Sequence, residues 1–372
     1  MLYKITPVLV ATILTISGCK DQIPNDPKVE LGKALFSDTS LSLHRTMSCA
    51  TCHQLDHAMI DPRIDNVTFG ASRGDDALAL GDRNTPTAAY ASFSPEFHFD
   101  GTEGLFIGGQ FHDGRAKNLK EQAKGPFLNP IEMMMPNEDS VIERILENEN
   151  YVVKFQNVYG NDIFNDTKRA YDALADAIAA FESTQEFAPF DSKFDKVNKR
   201  SATFTPQEQR GLTLFNTKAQ CNLCHSSDGD KPLFTDFSYD NLGIPVNTLL
   251  REENNKGLAF IDNGLFDNPD VNDTSLKGAF KVSTLRNIAV TAPYMHNGVF
   301  KELKTVVHFY NTRDVPGAIN PETGNPWQKG EVDENKNTEE LGNLGLSDTE
   351  ENDLVAFLKT LTDARYEHLM QP

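Results

Sequence analysis

Cysteine, positive charge and long apolar runs are all scarce in this chain of 372 residues, which has five cysteines and a formal net charge of −19. Such an acidic chain argues against a nucleic-acid partner and suits a basic redox partner. After residue 18 no segment approaches the ~18 apolar residues of a membrane-spanning helix, so we expect a soluble body. The Gly-, Asp- and Asn-rich stretches 61–82 and 316–345 lack the alternating pattern of strands, and we interpret them as loops.

The N-terminus carries the one marked apolar run. The first 18 residues contain a single charge, Lys4, and the run from Ile5 to Ile16 is too short to span a bilayer. Small residues then precede Cys19. This pattern predicts a lipoprotein signal peptide over 1–18, with Cys19 as the acylated end of the mature chain and 19–28 as a tether. The alternative is ordinary cleavage that leaves a free thiol. We expect a periplasmic protein that meets the membrane only through its lipid.

Four of the five cysteines lie in two copies of one motif, CATCH and CNLCH. A disulfide framework, a zinc site, a thiol redox pair and a haem anchor all use paired cysteines. A zinc site built from both pairs leaves the adjacent histidines unexplained, and a redox pair needs no histidine. C-x-x-C-H is the attachment signature of c-type haem, so we predict two covalent haem c groups. The thioether-forming residues are Cys49, Cys52, Cys221 and Cys224, and the proximal iron ligands are His53 and His225.

Helical signals dominate the rest of the sequence. Apolar residues between Tyr171 and Phe181 recur every three or four positions, as on one face of a helix. Thr205–Glu208 and Ser347–Glu350 have the composition of capping boxes, and Pro206 stands at a first helical position. The sequence therefore predicts an all-α fold with long loops that wrap the cofactors.

The two halves of the chain repeat three short patterns in the same order. These are Gly32–Phe36 with Gly211–Phe215, Arg83–Asn84 with Arg286–Asn287, and His112–Gly114 with His296–Gly298. The length also favours two domains. We predict an N-terminal haem domain over 29–199 and a related C-terminal haem domain over 200–372.

Several longer motifs make the sequence resemble the bacterial di-haem cytochrome c peroxidases, including the MauG-type enzymes. Besides the two haem motifs, they are Arg83–Thr87, Gln110–Arg115, Asn129–Met133 and Thr291–Gly298. The resemblance covers nearly the whole mature chain. It implies two domains like class I cytochromes c, with the N-terminal haem meeting hydrogen peroxide and the C-terminal haem storing or relaying an electron.

The resemblance also implies a catalytic pair beside the first haem. The family's acid–base carboxylate is the Glu of Asn-Pro-x-Glu-Met, which here is Glu132, and a Gln ten residues earlier, here Gln122, lies over the same haem face. Many members also close the first haem with a histidine in the loop after the motif. The corresponding stretch 66–74 contains none. We therefore expect a first haem that is five-coordinate or carries only water, as in MauG-type members.

The second haem's distal ligand separates members of the family. It comes from the helix 14 residues beyond the His of the His-(Asp/Asn)-Gly motif, and counting from His296 reaches Tyr310. Met295 is the rival, and His308 or an open site are further alternatives. MauG-type members have Tyr at this position and most peroxidases have Met. A phenolate favours oxidised iron and a thioether favours Fe(II), so Tyr310 implies a haem that shares oxidising equivalents.

One position departs from the family pattern, and another set matches it. The residue between the haems is Trp in the family and His112 here, and imidazole is harder to oxidise than indole. This weakens the transfer of a MauG-type function.

The Asn84 side chain and the carbonyl groups of Thr291 and Pro293 match the family's calcium site, which implies a calcium ion in an oxygen shell.

Three functions remain open at this point. The leading one is a di-haem peroxidase, an oxidoreductase that reduces hydrogen peroxide to water with electrons from a small soluble cytochrome c or cupredoxin. The second is a MauG-like oxidase that uses peroxide to modify a protein or peptide. The third is a di-haem electron carrier without catalysis, which has no need of Gln122 and Glu132. The family commonly forms homodimers, but no sequence stripe identifies an interface.

Overall fold

A computed structural model describes residues 26–63 and 70–370. The predicted signal peptide, the acylation of Cys19 and most of the tether lie outside the described residues, as does part of the loop 66–74. Within the described ranges, no helix has both the length and the apolar character needed to cross a membrane.

Helices account for most of the regular structure. They are α1 Pro27–Phe36, α2 Cys49–Cys52, α3 Leu119–Leu128, α4 Glu138–Leu146, α5 Glu149–Tyr159, α6 Thr167–Glu182, α7 Lys193–Asn198, α8 Pro206–Phe215, α9 Thr248–Glu253, α10 Leu303–Thr312 and α11 Asp348–Lys359. The prediction of a mainly helical chain is thereby confirmed.

Two small antiparallel sheets were not predicted. Strand β1 (His98–Asp100) pairs with β2 (Leu105–Ile107), and β3 (Tyr239–Asp240) pairs with β4 (Phe280–Lys281). Strands of two or three residues are too short to show a period-two pattern, so the sequence offered no signal for them. The fold is mostly helical with little sheet.

The helix signals in the sequence are confirmed in detail. The apolar face of α6 from Tyr171 to Phe181 is buried. Helix α8 begins with the predicted box, in which Thr205 accepts from the backbone of Glu208, and α11 begins with the equivalent box at Ser347. These signals act between residues close in sequence, which explains why they can be read locally.

The apolar core consists of two main clusters. The first contains buried residues between Leu31 and Phe190, and brings α1, α3 and α4 against α6. The second contains residues between Phe194 and Leu361, and brings α8 and α10 against α11. Aromatic rings interlock in both, for example Phe36 with Phe181 at 5.5 Å between centroids.

The repeated glycines explain how closely the helices approach in each cluster. A Cβ on Gly32 of α1 would lie 1.9 Å from the carbonyl oxygen of Ala177 in α6. A Cβ on Gly211 of α8 would lie 2.0 Å from the carbonyl oxygen of Asp353 in α11. Both helix pairs therefore pack backbone against backbone, which only glycine allows.

We expect Gly211→Ala to lower the free energy of unfolding by about 1–3 kcal/mol, because α8 must move away from α11 to admit the methyl group. The measurement is guanidinium unfolding of the haem-loaded protein, followed by circular dichroism. Gly101→Ala is the matched control, since nothing lies within 4 Å of a Cβ there. An unchanged midpoint for Gly211→Ala, with the control also unchanged, would contradict the close-packing account.

Candidate active site

The first haem motif forms helix α2 and its end. Ser48 and Thr51 cap the helix reciprocally, and the His53 backbone N–H donates to the Cys49 carbonyl at 2.9 Å. The His53 ring places Nδ1 3.0 Å from the carbonyl oxygen of Met59. That hydrogen bond fixes the ring and leaves Nε2 as the nitrogen available to a metal.

The second motif repeats this arrangement on a 3₁₀ turn at Cys221–Leu223. The His225 backbone N–H donates to the Cys221 carbonyl at 2.9 Å, and Nδ1 lies 2.7 Å from the Phe234 carbonyl oxygen. Both histidines are therefore oriented by a backbone carbonyl, as iron-ligating histidines are.

The oxidation state and the pKa of the thiols bear on the disulfide, redox and metal explanations for the cysteine pairs. All four are free, and burial raises the pKa of Cys52 and of Cys221 to about 12. A redox pair or a thiolate–metal site needs the opposite shift. Within residues 26–63 and 70–370, no cluster of three or more His, Cys, Asp or Glu side chains could hold a metal ion. The feature that favours haem attachment is the histidine after each cysteine pair, which a backbone carbonyl orients in both motifs.

A cavity of about 330 Å³ opens beside the second motif. Cys221, Cys224 and His225 line it, and α10 contributes Val306 and Tyr310. Most of the remaining lining is apolar, from leucine and valine side chains. A tethered, flat and largely apolar macrocycle suits these walls, so the residues present fit a c-type haem.

Two of the three proposed distal ligands face this cavity. Tyr310 lines it, and burial, followed by the charges of Cys221 and Asp240, raises the pKa of its hydroxyl. Met295 also lines it, in a left-handed turn with φ of 71°. His308 instead places Nδ1 2.8 Å from Glu351 and is absent from the cavity lining. The histidine alternative is therefore disfavoured.

Glu132 lies near the first motif, in the turn that follows α3. Its Oε1 accepts from Asn129 Nδ2 at 2.7 Å. Burial raises the pKa of Glu132, and burial is also the main cause of the raised pKa of Cys49 and Cys52, to which the charge of Glu132 adds a small part. Gln122 is half-buried on α3. A buried carboxyl group whose pKa is raised above its ordinary value thus belongs to the surroundings of the first CxxCH.

Asn84 forms hydrogen bonds with three residues singled out in the sequence. Its backbone N–H donates to the His296 carbonyl at 2.6 Å, and its own carbonyl accepts from His112 Nε2 at 2.9 Å. Its side-chain Nδ2 lies 2.6 Å from the Pro293 carbonyl oxygen, and Thr291 lines the same cavity. The repeated motifs of the two halves therefore meet at one residue.

The two histidines at this junction are uncharged at neutral pH. Burial lowers the pKa of His112 to about 4 and that of His296 to about 3. The His296 ring stacks on Phe280 with 3.5 Å between centroids. Both histidines line the cavity of the second motif, on the side facing the first half. They supply apolar, neutral walls rather than acid–base groups.

Sequence reasoning missed the ion pairs beside this junction. Arg83 donates to Asp113 at 2.6 Å and to Asp262 at 2.7 Å, and both carboxylates are buried. Burial alone would raise the pKa of Asp262, but the hydrogen bonds and charge of Arg83 hold it well below its usual range. Arg83 belongs to a repeated pair, which was a signal. Asp262 belongs to no motif, so only the fold identifies it.

Comparisons with known proteins agree with this geometry. The family profile described as di-haem cytochrome c peroxidase matches residues 26–203. The chain is 45% identical to the methylamine utilization protein MauG of Paracoccus denitrificans, over 97% of this chain and 96% of that protein. It is 32% identical to the cytochrome c551 peroxidase of Nitrosomonas europaea, over 76% of this chain and 72% of that protein.

A solved structure shares the overall arrangement. The diheme peroxidase BthA from Burkholderia thailandensis superposes with a TM-score of 0.79 at 32% sequence identity. The superposition covers 94% of this chain and 89% of that chain.

We expect Asp262→Asn to lower the free energy of unfolding by about 3 kcal/mol at pH 7, because it breaks a buried ion pair. The folded-state pKa of Asp262 lies below the ordinary value of about 3.9, so its contribution is present above that pH and is lost as the pH falls through the folded-state pKa. The difference between parent and variant should therefore shrink in acid. Unfolding at several pH values measures it.

The exposed pair Asp162–Arg169, at 2.8 Å, provides the control. Asp162→Asn should have no measurable effect, because solvent screens exposed pairs. A pH-independent difference for Asp262→Asn would contradict the assigned ion pair.

Proposed function

Since this chain belongs to the bacterial family of di-haem cytochrome c peroxidases and MauG proteins, we propose that it reduces hydrogen peroxide to water with electrons from a small cytochrome c or cupredoxin. The family is one of peroxidase-type oxidoreductases with two c-type haems. The observation that carries the proposal is Glu132, a carboxyl group of raised pKa beside the first CxxCH motif. We further propose that it works in the periplasm, anchored through Cys19.

Six side chains would hold the haems. Cys49, Cys52, Cys221 and Cys224 would form the thioethers, with His53 and His225 as the proximal ligands. Bound haem supplies a redox-active iron that can exchange electrons with peroxide and with a donor. We assign the haems to two cytochrome c-like domains, over 29–199 and 200–372. The two separate apolar clusters support two domains, and they divide between Phe190 and Phe194, a few residues before the proposed boundary.

Glu132 would move the proton that peroxide cleavage requires. A general acid–base group accepts a proton from one oxygen and donates it to the leaving one, and it works best with a pKa near the operating pH. Burial shifts Glu132 in that direction. The hydrogen bond from Asn129 holds Oε1 and leaves Oε2 for the proton. Gln122, on the preceding helix, would orient peroxide.

Tyr310 would be the distal ligand of the second haem. It lies on α10 and lines the same cavity as Cys221 and Cys224 of the second motif. Met295 faces the same cavity, and Met295 and Tyr310 both pack against the second apolar cluster. A thioether in that cluster is explained by packing alone, whereas a buried phenol needs a polar partner.

We also propose a calcium ion at Asn84, Thr291 and Pro293. The Asn84 amide lies against the Pro293 carbonyl, and Thr291 lines the same cavity wall. One amide and two carbonyls form a neutral oxygen set, so waters would have to complete the shell.

His112 and His296 would fill the space between the haem sites, where neutral imidazoles slow any relay that depends on side-chain oxidation.

A MauG-like oxidase is the second candidate. The 45% identity to a methylamine utilization protein MauG over nearly the whole chain favours it. His112, at the position of the family's Trp, makes this function less favourable, because imidazole is harder to oxidise than indole. Steady-state turnover of reduced cytochrome c with peroxide, compared with oxidation of candidate protein substrates, separates the two.

We expect Glu132→Gln to slow the peroxide reaction by about 10²-fold or more, because the amide keeps the shape but cannot shuttle a proton. Stopped-flow mixing with peroxide measures the rate, and denaturing mass spectrometry confirms two bound haems. Glu103→Gln, in an exposed turn, is the control and should react like the parent. Near-parent rates for Glu132→Gln would remove Glu132 from the mechanism and with it the main support for a peroxidase.

We expect the parent to react with peroxide without prior reduction if Tyr310 ligates the second iron, because phenolate donation makes oxidised iron accessible. Tyr310→Met should raise the potential of the second haem and make the reaction depend on prereduction. Redox titration and stopped-flow spectra measure both. The resting ferric spectrum should show one high-spin haem, whereas an electron carrier would show two low-spin haems.

Two further variants separate the rival ligands. Tyr310→Phe should leave the second iron without its phenolate and change its spectrum, while Met295→Leu should change little. If Met295→Leu abolishes a low-spin signal that Tyr310→Phe retains, the ligand is Met295.

A further inference from the structure

Trp327 is the only tryptophan in the 372 residues. It is half-buried in the long loop after α10 and packs against the second apolar cluster. Its ring meets Phe300, His308 and Phe309 at centroid distances of 5.8, 5.9 and 5.2 Å. The indole therefore has one edge toward solvent and one toward the helix that carries Tyr310.

Helix α10 separates Trp327 from the haem cavity. Val306 and Tyr310 line the cavity, whereas His308, Phe309 and Trp327 do not. Phe309 contacts both sides, since its ring centroid lies 5.2 Å from that of Trp327 and 6.4 Å from that of Tyr310. The distance across one helix with its side chains is about 10 Å. An unbroken chain of rings thus joins the half-exposed indole to the cavity wall.

Polar groups around the indole suit a temporary positive charge. The Nε1–H donates to the Thr312 hydroxyl at 3.0 Å, and that hydroxyl donates to the His308 carbonyl at 2.7 Å. Glu351 is buried and lies 2.8 Å from His308 Nδ1. Glu351 also accepts from Asn311 Nδ2 at 2.6 Å, so this acidic group is fixed one residue away from the indole, where the low local dielectric constant strengthens electrostatic interactions.

We propose that Trp327 is a redox-active side chain that passes electrons from the protein surface, across α10, toward the second haem. This inference rests on the proposed function, because peroxide is the oxidant. One electron would pass from the indole to the second haem after peroxide has oxidised it. The indole would then be a radical cation whose Nε1 keeps its proton and donates it in a hydrogen bond to the Thr312 hydroxyl. An electron from the reducing partner then restores the indole.

The test is freeze-quench electron paramagnetic resonance on the complete haem-loaded protein, with ring-deuterated tryptophan incorporated and peroxide as the only reactant. Because the chain has one tryptophan, a radical signal that narrows on deuteration belongs to Trp327. We expect that signal in the parent. If peroxide oxidises the haem spectrum but no such signal forms, the relay is wrong and the proposed function stands. If the haem spectrum does not change, the proposed function is wrong and the relay falls with it.

Two variants separate electron relay from packing. Trp327→Phe keeps an aromatic ring against Phe309 but should lose the signal and oxidise reduced cytochrome c more slowly. Trp327→Tyr supplies an oxidisable ring and should recover the rate. If both variants slow donor oxidation equally, Trp327 serves packing and the proposal is overturned.

Discussion

The hydrogen bonds of Arg83 and Asn84 are the constraint on which the arrangement of the two halves depends. Arg83 joins Asp113 of the first half to Asp262 of the second. The Asn84 N–H donates to His296, its carbonyl accepts from His112, and its side chain donates to Pro293. The two carboxylates that Arg83 joins are buried, and a buried carboxylate that loses its partner is strongly destabilising, so these bonds hold the halves in one arrangement.

The second Arg–Asn pair also forms buried hydrogen bonds with carboxylates, one of which reaches the first half of the chain. Arg286 donates to Asp195 at 2.7 Å, and Asn287 donates to Asp363 at 2.8 Å. Asp363 also accepts from Tyr90 of the first half at 2.7 Å. The repeat seen in the sequence is therefore a repeat of interface anchors. Each pair places a charged and a neutral donor where polar backbone would otherwise be buried without partners.

Sequence predicted what depends on neighbouring residues and missed what depends on distant ones. The capping boxes at Thr205 and Ser347 act over three residues, so their helices could be predicted from composition. The haem motifs also contain all their attachment groups within five residues. Asp262 pairs with Arg83, which is far away in the sequence, and Phe309 contacts Trp327 in the loop after α10. No local sequence pattern marks either residue. The short strands were missed because tertiary packing, not periodicity, makes them.

The burial of the CxxCH thiols affects when haem can be attached, before or after the chain folds. Burial raises the pKa of Cys52 and Cys221 to about 12, which lowers the thiolate fraction further below the small fraction of an ordinary thiol. The same thiols in an extended chain have ordinary pKa values and full access to solvent. Because Tyr310 of α10 and Leu354 of α11 wall the cavity around the second motif, a porphyrin meets less obstruction before these helices pack than afterwards. We therefore expect the final packing of α8, α10 and α11 to take place around a cofactor that is already attached.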